Sequence, residues 1–256
     1  MTLCDKATAI IAALVLGLSI SLGVFGAGYC LGKSVLLSHL LNRSVDVKGL
    51  AERDVKADLG IWQINFREVG GVLNDVNQHQ QHDRDVVIAF LKQNGFTDAE
   101  IATQPIRLED RLANAMSNGT QVAPQQRYLI TGGVEVRSER VDLIQQVNQL
   151  TGSLLEQGVP LAFDVNYGGV NPSYFFTKLD EIRPAMLADA THSARLVAEQ
   201  FAKDSGTELN GIQHASQGVF EVTGRDASTA EGSGESSLSS INKKVRLVST
   251  LDYRLK

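Results

Sequence analysis

The chain has 256 residues, 43% of them hydrophobic, and a net charge of −5 from 24 basic and 29 acidic side chains. That length suffices for one large domain or two intertwined lobes, and the mixed acidic balance, with no basic aromatic-studded stripe, excludes nucleic acid as the main partner. The two cysteines, Cys4 and Cys30, both lie before Lys33, so the rest of the chain can hold no disulfide, thiol nucleophile or zinc–thiolate site.

From Ala7 to Gly32 there is no charged side chain, and Lys6 and Lys33 fence the run. As a helix at ~1.5 Å per residue it would span ~39 Å, more than the ~30 Å hydrocarbon core of a bilayer. Residues 1–33 are therefore read as an N-terminal transmembrane anchor, with residues 7–32 in the membrane and residues 34–43 as a linker. Two alternatives stay open. A signal peptide could be cut at the small residues of Ser21-Leu22-Gly23, and Cys30 could be lipid-modified, although the bulky Tyr29 before it fits that poorly. Ser19, Gly23 and Ala27, with Gly28 and Gly32, give small-residue spacing that lets two helices approach closely in lipid. Charge leaves the orientation ambiguous, because Lys6 lies on one side and Lys33, Arg43 and Lys48 on the other. A leading apolar segment before one long domain favours a single-pass protein of the bacterial inner membrane with its C-terminal part in the periplasm.

Ser44 to Lys48 alternates as a half-buried strand, and a second strand is expected from Val55 to about Arg67, with Trp62, Ile64 and Phe66 on one face and Leu59 and Ile61 on the other. After Gly70-Gly71, the spacing of Val72, Val76, Val86, Val87, Phe90 and Leu91 predicts a helix to Asn94 that Gly95 stops. Ile101–Leu112 reads as a strand, followed by turns through Ser117-Asn118-Gly119. Arg127–Arg137 reads as another strand, with a bulge at Gly132-Gly133. A helix follows over Glu139–Gln157, ended by Gly158 and Pro160, and then a strand from Leu161 to Tyr167. The longest helix is expected from Lys178 to Asp204, and Pro184 predicts either a kink or the true start of that helix. A strand lies within Gly211–Thr223. A serine- and glycine-rich loop occupies Asp226–Ser240, and a last strand carries Val245, Leu247, Leu251, Tyr253 and Leu255. The pattern is α+β: an antiparallel sheet with helices packed on one side, a ferredoxin-like βαβ-βαβ core, a long third helix and extra strands.

Chemistry-bearing residues are sparse. His79 and His82 share a helix face beside Asp75, Asp83 and Asp85, which is metal-ligand spacing without a third converging ligand; a solvated helix middle or a polar contact between helices explains it better. His192, with Ser193 beside it, and His214 are isolated and lack a nucleophile elbow. Gly132-Gly133 and Gly168-Gly169 belong to no phosphate-binding motif. Asp180, Glu181 and Arg183 open the long helix, where acids are favoured by the dipole. Thr97 and Glu100 form a capping box. Asn42-Arg43-Ser44 and Asn118-Gly119-Thr120 are sequons that matter only in a eukaryotic secretory route. No catalytic, cofactor-binding or metal-ligating residue is assigned, and no cofactor is expected.

Taken in order, four stretches resemble the SIMPL-domain family of bacterial envelope proteins, which includes periplasmic immunogenic proteins. They are Val45-Asp46-Val47-Lys48-Gly49-Leu50-Ala51-Glu52; Asn77 with Leu91-Lys92-Gln93-Asn94-Gly95-Phe96 and Ile101-Ala102-Thr103; the alanine-rich helix from Ala188 to Gly206 with Arg195 and Glu199; and Val245-Arg246-Leu247-Val248 with Leu251-Asp252-Tyr253. The resemblance covers residues 44–256 and departs from the family in its uncleaved-looking leader and its short serine-rich loop. It implies an α+β fold, an exported location, self-assembly into oligomers and a link to envelope or oxidative stress. It supplies no catalytic residues. The expected function is that of a non-enzymatic, membrane-anchored, periplasm-facing envelope protein acting by self-assembly or contacts with other envelope proteins. The alternative is a small-molecule or lipid-binding module with a cleft between sheet and helices, lined by Trp62, Phe163 and Phe201. A hydrolase or metalloenzyme is the least supported class.

Overall fold

The computed structural model describes residues 17–34, 43–118, 121–162, 171–226 and 235–256. The expected fold class holds: the chain is α+β with antiparallel sheets. It divides into two compact units, one formed by the described residues through Ala51 with Leu187–Val219 and Val248–Lys256, the other by Glu52–Met186 and Phe220–Leu247. A first helix, α1, covers residues 17–34 with every residue exposed. No helix among the described residues is long and apolar enough to cross a membrane. Residues 7–16 of the expected span, and residues 35–42 of the linker, lie outside the described residues.

The larger unit is built on a five-stranded sheet of β2 (Leu59–Gly70), β3 (Ile101–Thr103), β4 (Arg107–Asp110), β5 (Tyr128–Ser138) and β6 (Ser173–Phe175), in the order β3-β5-β2-β6 with β4 also paired to β5. The first strand, β2, thus sits between β5 and β6, every pairing is antiparallel, and α2 (Leu73–Gln93) and α4–α5 (Val141–Asn148, Gly152–Glu156) make the two crossovers. This is the ferredoxin-like plan. Trp62, Ile64 and Phe66 are fully buried on one face of β2 and pack with Val134 and Val136 of β5, Val87 and Leu91 of α2, and Ile144 of α4. Both crossovers therefore cover the same face of the sheet.

Several expected elements differ in extent, each for a local reason. The strand expected over 101–112 is broken into β3 and β4 because Pro105 cannot donate to the ladder. It ends where the Asp110 carboxylate accepts the Leu112 and Ala113 amides, both at 3.2 Å, and caps α3 (Arg111–Asn118) in place of the expected turns. No bulge occurs at Gly132-Gly133, where the β2–β5 register runs unbroken through Phe66↔Gly132 and Asn65↔Gly133. The helix expected over 139–157 is two short helices joined by a turn. Of the strand expected from Leu161 to Tyr167, only a single bridge from Leu161 to Phe66 lies among the described residues, and 163–170 fall outside them. Helix α2 ends as expected: Gly95 adopts φ 93°, its amide donates to Lys92 O, and the Phe96 amide returns to Leu91 O, both at 3.1 Å.

The smaller unit contains the first part of β1 (Ser44–Lys56), the later part of α6 (Leu179–Asp204), β7 (Leu209–Gln217) and the second half of β9 (Asn242–Leu255). β9 lies between β1 and β7 here; its first half, in the larger unit, pairs with β8 (Glu221–Gly224), so the strand expected within 211–223 is two strands. The loop expected over 226–240 contains a short helix, α7 (Glu235–Ser239). Helix α6 begins at Leu179, so Pro184 lies inside it rather than at its start.

Ala190, Ala194, Ala198 and Ala202 recur every fourth residue of α6 and are all buried; Ala194 and Ala198 pack on Val47, Leu251 and Tyr253. These methyl-sized side chains bring the helix backbone onto β1 at Gly49. A Cβ at Gly49 would meet the Ala190 carbonyl, with Ala194 N at 2.7 Å and Ala194 Cβ at 2.8 Å. Gly49→Ala is therefore expected to lower stability by about 1–3 kcal/mol through overpacking. Denaturant unfolding of the purified chain measures this; an unchanged midpoint would show that α6 yields freely at this contact.

Candidate functional site

Because β-strand side chains alternate, the face of the five-stranded sheet opposite Trp62, Ile64 and Phe66 carries Gln63, Asn65 and Arg67. Registration across β2, β5 and β4 arranges this face in rows. Gln63 lies opposite Glu135, Asn65 opposite Gly133, and Arg67 opposite Thr131, which Arg107 flanks from the other side. A cavity of about 660 Å³ opens over these rows, with Gln104 and Glu109 on its polar lining and Leu108 and Leu129 on its apolar wall.

The amides of this face are held in place. Gln63 Nε2 and Gln104 Nε2 donate to the same oxygen of Glu135, at 3.1 Å and 3.4 Å, and the Gln104 backbone amide donates to Gly133 O at 2.9 Å. Gly133 is where these side chains converge: a Cβ there would meet Asn65 Oδ1, with Gln104 Oε1 at 2.9 Å. Close approach of side chains, rather than a bulge, accounts for this glycine. Its neighbour Gly132 does the same on the helix side, where a Cβ would meet the buried Gln80 amide, whose Cδ lies 3.2 Å away. At the rim, Glu109 Oε1 accepts from Asn114 Nδ2 at 3.2 Å.

A second polar cluster lies under α2. The buried face of that helix runs Val76, Gln80, Asp83, Val87 and Phe90, so two polar residues interrupt an apolar stripe. Asp83 is 6% exposed and faces Glu68 of β2. Burial, then the hydrogen bond and negative charge of Asp83, push the Glu68 carboxyl up to about 7, against a smaller pull from His79. Burial also raises Asp83, opposed by its bond to Glu68 and by the charges of His82 and His79. Both carboxyls therefore hold their protons more tightly in the folded chain.

Two further ionisable groups, the half-buried Glu100 and the buried Lys243, have structural partners. Burial alone would raise Glu100, but hydrogen bonds from Arg140, Ser138 and Thr97 outweigh it and hold the carboxylate at about 2. The expected capping pair is present, with Thr97 N and Oγ1 donating to Glu100 Oε2 at 2.9 Å and 2.8 Å, and Arg140 ties the same carboxylate to the start of α4. Lys243 is pulled down to about 8 by burial, and its Nζ donates to the Ser237 and Leu238 carbonyls at the end of α7.

The residues singled out by sequence do not converge. His79, His82, Asp75 and Asp85 are exposed, and among the described residues no group of three or more His, Cys, Asp or Glu side chains is placed to hold a metal ion. His192 and His214 are exposed on α6 and β7. Asp180 pairs with Arg183 at 2.9 Å within the first turn of α6. Gly168-Gly169 and Phe163 lie outside the described residues. The cleft expected around Trp62 is filled: Trp62 is a fully buried core residue, and Phe201 is 54% exposed on α6. Asp83 is buried rather than part of a solvated helix middle, because Glu68 receives it. The missed site residues had one sequence signal, the polar alternation of Gln63, Asn65 and Arg67 between Trp62, Ile64 and Phe66.

A family model named SIMPL, described as a protein of unknown function (DUF541), matches residues 45–248. No curated protein matches the chain.

The Glu68–Asp83 pair predicts a pH dependence of stability. A carboxyl whose pKa is raised on folding binds its proton more tightly in the native state, so its contribution is complete below about 4.5 and is lost as pH rises through about 7. The unfolding midpoint is expected to fall across that window, and Glu68→Gln to flatten the fall. Thermal unfolding from pH 4 to 8 checks this, and parallel pH profiles for both proteins would refute the raised Glu68 carboxyl.

Proposed function

The chain belongs to the SIMPL family, and from that premise we propose that it is a non-enzymatic, membrane-anchored envelope protein whose periplasmic part works by associating with further copies of itself. The observation that carries this reading is β7. It is the edge strand of its sheet, eight of its nine residues are exposed, and Leu209–Gln217 contains no lysine, arginine, aspartate or glutamate. Edge strands normally carry charges, prolines or cover that discourage pairing with another chain. Ile212 is half exposed, and Val219 just beyond the strand is 89% exposed. Anchoring is supported by α1, whose Leu18, Leu22, Val24 and Phe25 all project outward in an arrangement that lipid stabilises and water does not. Envelope stress tolerance is the physiological setting that the family resemblance implies.

A second reading, that of a small-molecule-binding module, is favoured by the cavity on the open sheet face. Its volume and its mixture of ordered amides, arginines and leucines suit a small ligand.

Light scattering on the detergent-solubilised full chain is expected to show an oligomer, and Ile212→Lys with Ser216→Lys to shift it toward the monomer without lowering the melting temperature. A monomer at high concentration in the unmodified protein would remove the assembly reading. For the address, alkaline phosphatase fused after Lys256 is expected to be active in a bacterial host; activity only of a cytoplasmic reporter at that position would reverse the orientation.

A further inference from the structure

We infer that the smaller unit makes a second contact with the membrane, laying the last turns of α6 on an anionic bilayer surface through Val197 and Phe201. The inference rests on the anchoring reading above and goes beyond it, since this surface lies outside the anchor. Backbone hydrogen bonds bring the entry of the chain into this unit and its end to the same place. The Leu255 amide donates to Arg43 O and the Lys256 amide to Glu208 O, both at 2.9 Å. The Thr207 amide returns to Ala202 O at 2.9 Å and so closes α6 beside the start of β7. Arg43, the last turn of α6 and Lys256 therefore share one end of the unit. Helix α1 finishes at residue 34, nine residues before Arg43, and nine residues extend over at most ~30 Å. The stretch between them contains Leu36, Leu37, Leu40 and Leu41 and no Lys, Arg, Asp or Glu, so nothing in its chemistry draws it away from lipid. The end that holds Arg43 is thus the end kept nearest the bilayer.

That end carries apolar side chains that the unit's own core does not use. Ala194, Ala198 and Ala202 pack inward, whereas Phe201 is 54% exposed and Val197, one turn earlier, is 40% exposed. Residues four apart lie on the same side of a helix, so the two form one patch, and the exposed Leu196 borders it. Apolar surface left in water is recovered at the boundary between headgroups and acyl chains. The charge beside the patch selects the sign of the surface. Arg43, Lys203, Arg254 and Lys256 are exposed at this end, against Asp204 and Glu208. Asp204 is engaged by Gln200 Nε2 at 2.9 Å. Cations held within a Debye length of an anionic leaflet are attracted to it, and basic residues beside a small apolar patch are the composition of a surface that lies among headgroups.

The test reads tryptophan quenching in the full chain, reconstituted into vesicles of phosphatidylglycerol and phosphatidylcholine with brominated acyl chains. Trp62 is fully buried, so the unmodified protein supplies the background. Phe201→Trp is expected to be quenched most by bromine near the headgroup end of the acyl chains, about 5–10 Å below the surface. Val219→Trp, beyond the other end of β7 and 89% exposed in the unmodified chain, is expected to be quenched by aqueous iodide instead. Vesicles of phosphatidylcholine alone, or Lys203→Glu combined with Lys256→Glu, are expected to move the Phe201→Trp signal from bromine toward iodide quenching. Val197→Trp samples the same patch and is expected to behave as Phe201→Trp does, which guards against a fault in one variant. Flotation of the vesicles after an alkaline wash reports the anchor separately. If the protein stays with the vesicles while iodide quenches Phe201→Trp as strongly as Val219→Trp, the inference is wrong and anchoring stands. Shielding of Phe201→Trp from both quenchers would replace the lipid contact with one between copies. Equal bromine quenching at residues 201 and 219 would refute a contact confined to this end. Loss of the protein in the wash removes the anchoring reading and the inference together.

Discussion

One-sided cover of the five-stranded sheet is the constraint from which most of the larger unit follows. Trp62, Ile64 and Phe66 alternate along β2 and must all leave water on the same side, and Val134 and Val136 join them from β5. Helix α2 and the α4–α5 pair supply the apolar surface that meets them, so both crossovers are committed to that face. An antiparallel sheet tolerates solvent on its second face, where alternation places polar side chains. The amides, arginines and glutamates of the open face are thus the other half of the same pattern that builds the core.

The smaller unit solves its packing differently. Its helix contributes alanines rather than large side chains, and its strand contributes a glycine at the point of closest approach. Contact between backbones replaces interdigitation of bulky groups, which gives close-packed dispersion contacts with little side-chain entropy to lose. Such an interface has little room to relax, since the neighbouring atoms at Gly49 belong mostly to the α6 backbone rather than to flexible side-chain ends. The sheet beneath it carries β7 on its outer edge, exposed on both faces.

Polar groups inside these packed layers are kept where a partner compensates their burial. Glu68 and Asp83 face each other with raised carboxyls, Glu100 accepts from Thr97, Ser138 and Arg140, and Lys243 donates to the carbonyls of α7. Gln80 is less completely compensated. Its carboxamide lies over Gly132, and its Oε1 has no hydrogen-bond partner among the described residues. Desolvation without a partner costs of order 1–3 kcal/mol, so this helix–sheet contact is less stable than its burial suggests.

Much of this architecture is written in local pattern. The faces of β2 and the span of α2 with its stop at Gly95 follow from spacing, because side-chain period and turn chemistry are properties of a few neighbouring residues; the buried face of α6 did not, since its alanines pack while Val197 and Phe201 are exposed. The ends of elements were legible where a cap, an acidic first turn or a proline marked them: the break at Pro105 had its signal, and α6 starts at Leu179 beside the expected Lys178. What tertiary structure alone decided is which distant residues meet. Nothing near Asp83 in the chain announces Glu68, nothing near Arg67 announces Arg107 across Thr131, and the two glycines of β5 signified two separate close approaches instead of a bulge. Those pairings depend on strand registration over tens of residues. Registration is set by how the whole sheet buries its apolar face, and no short window of sequence contains that information.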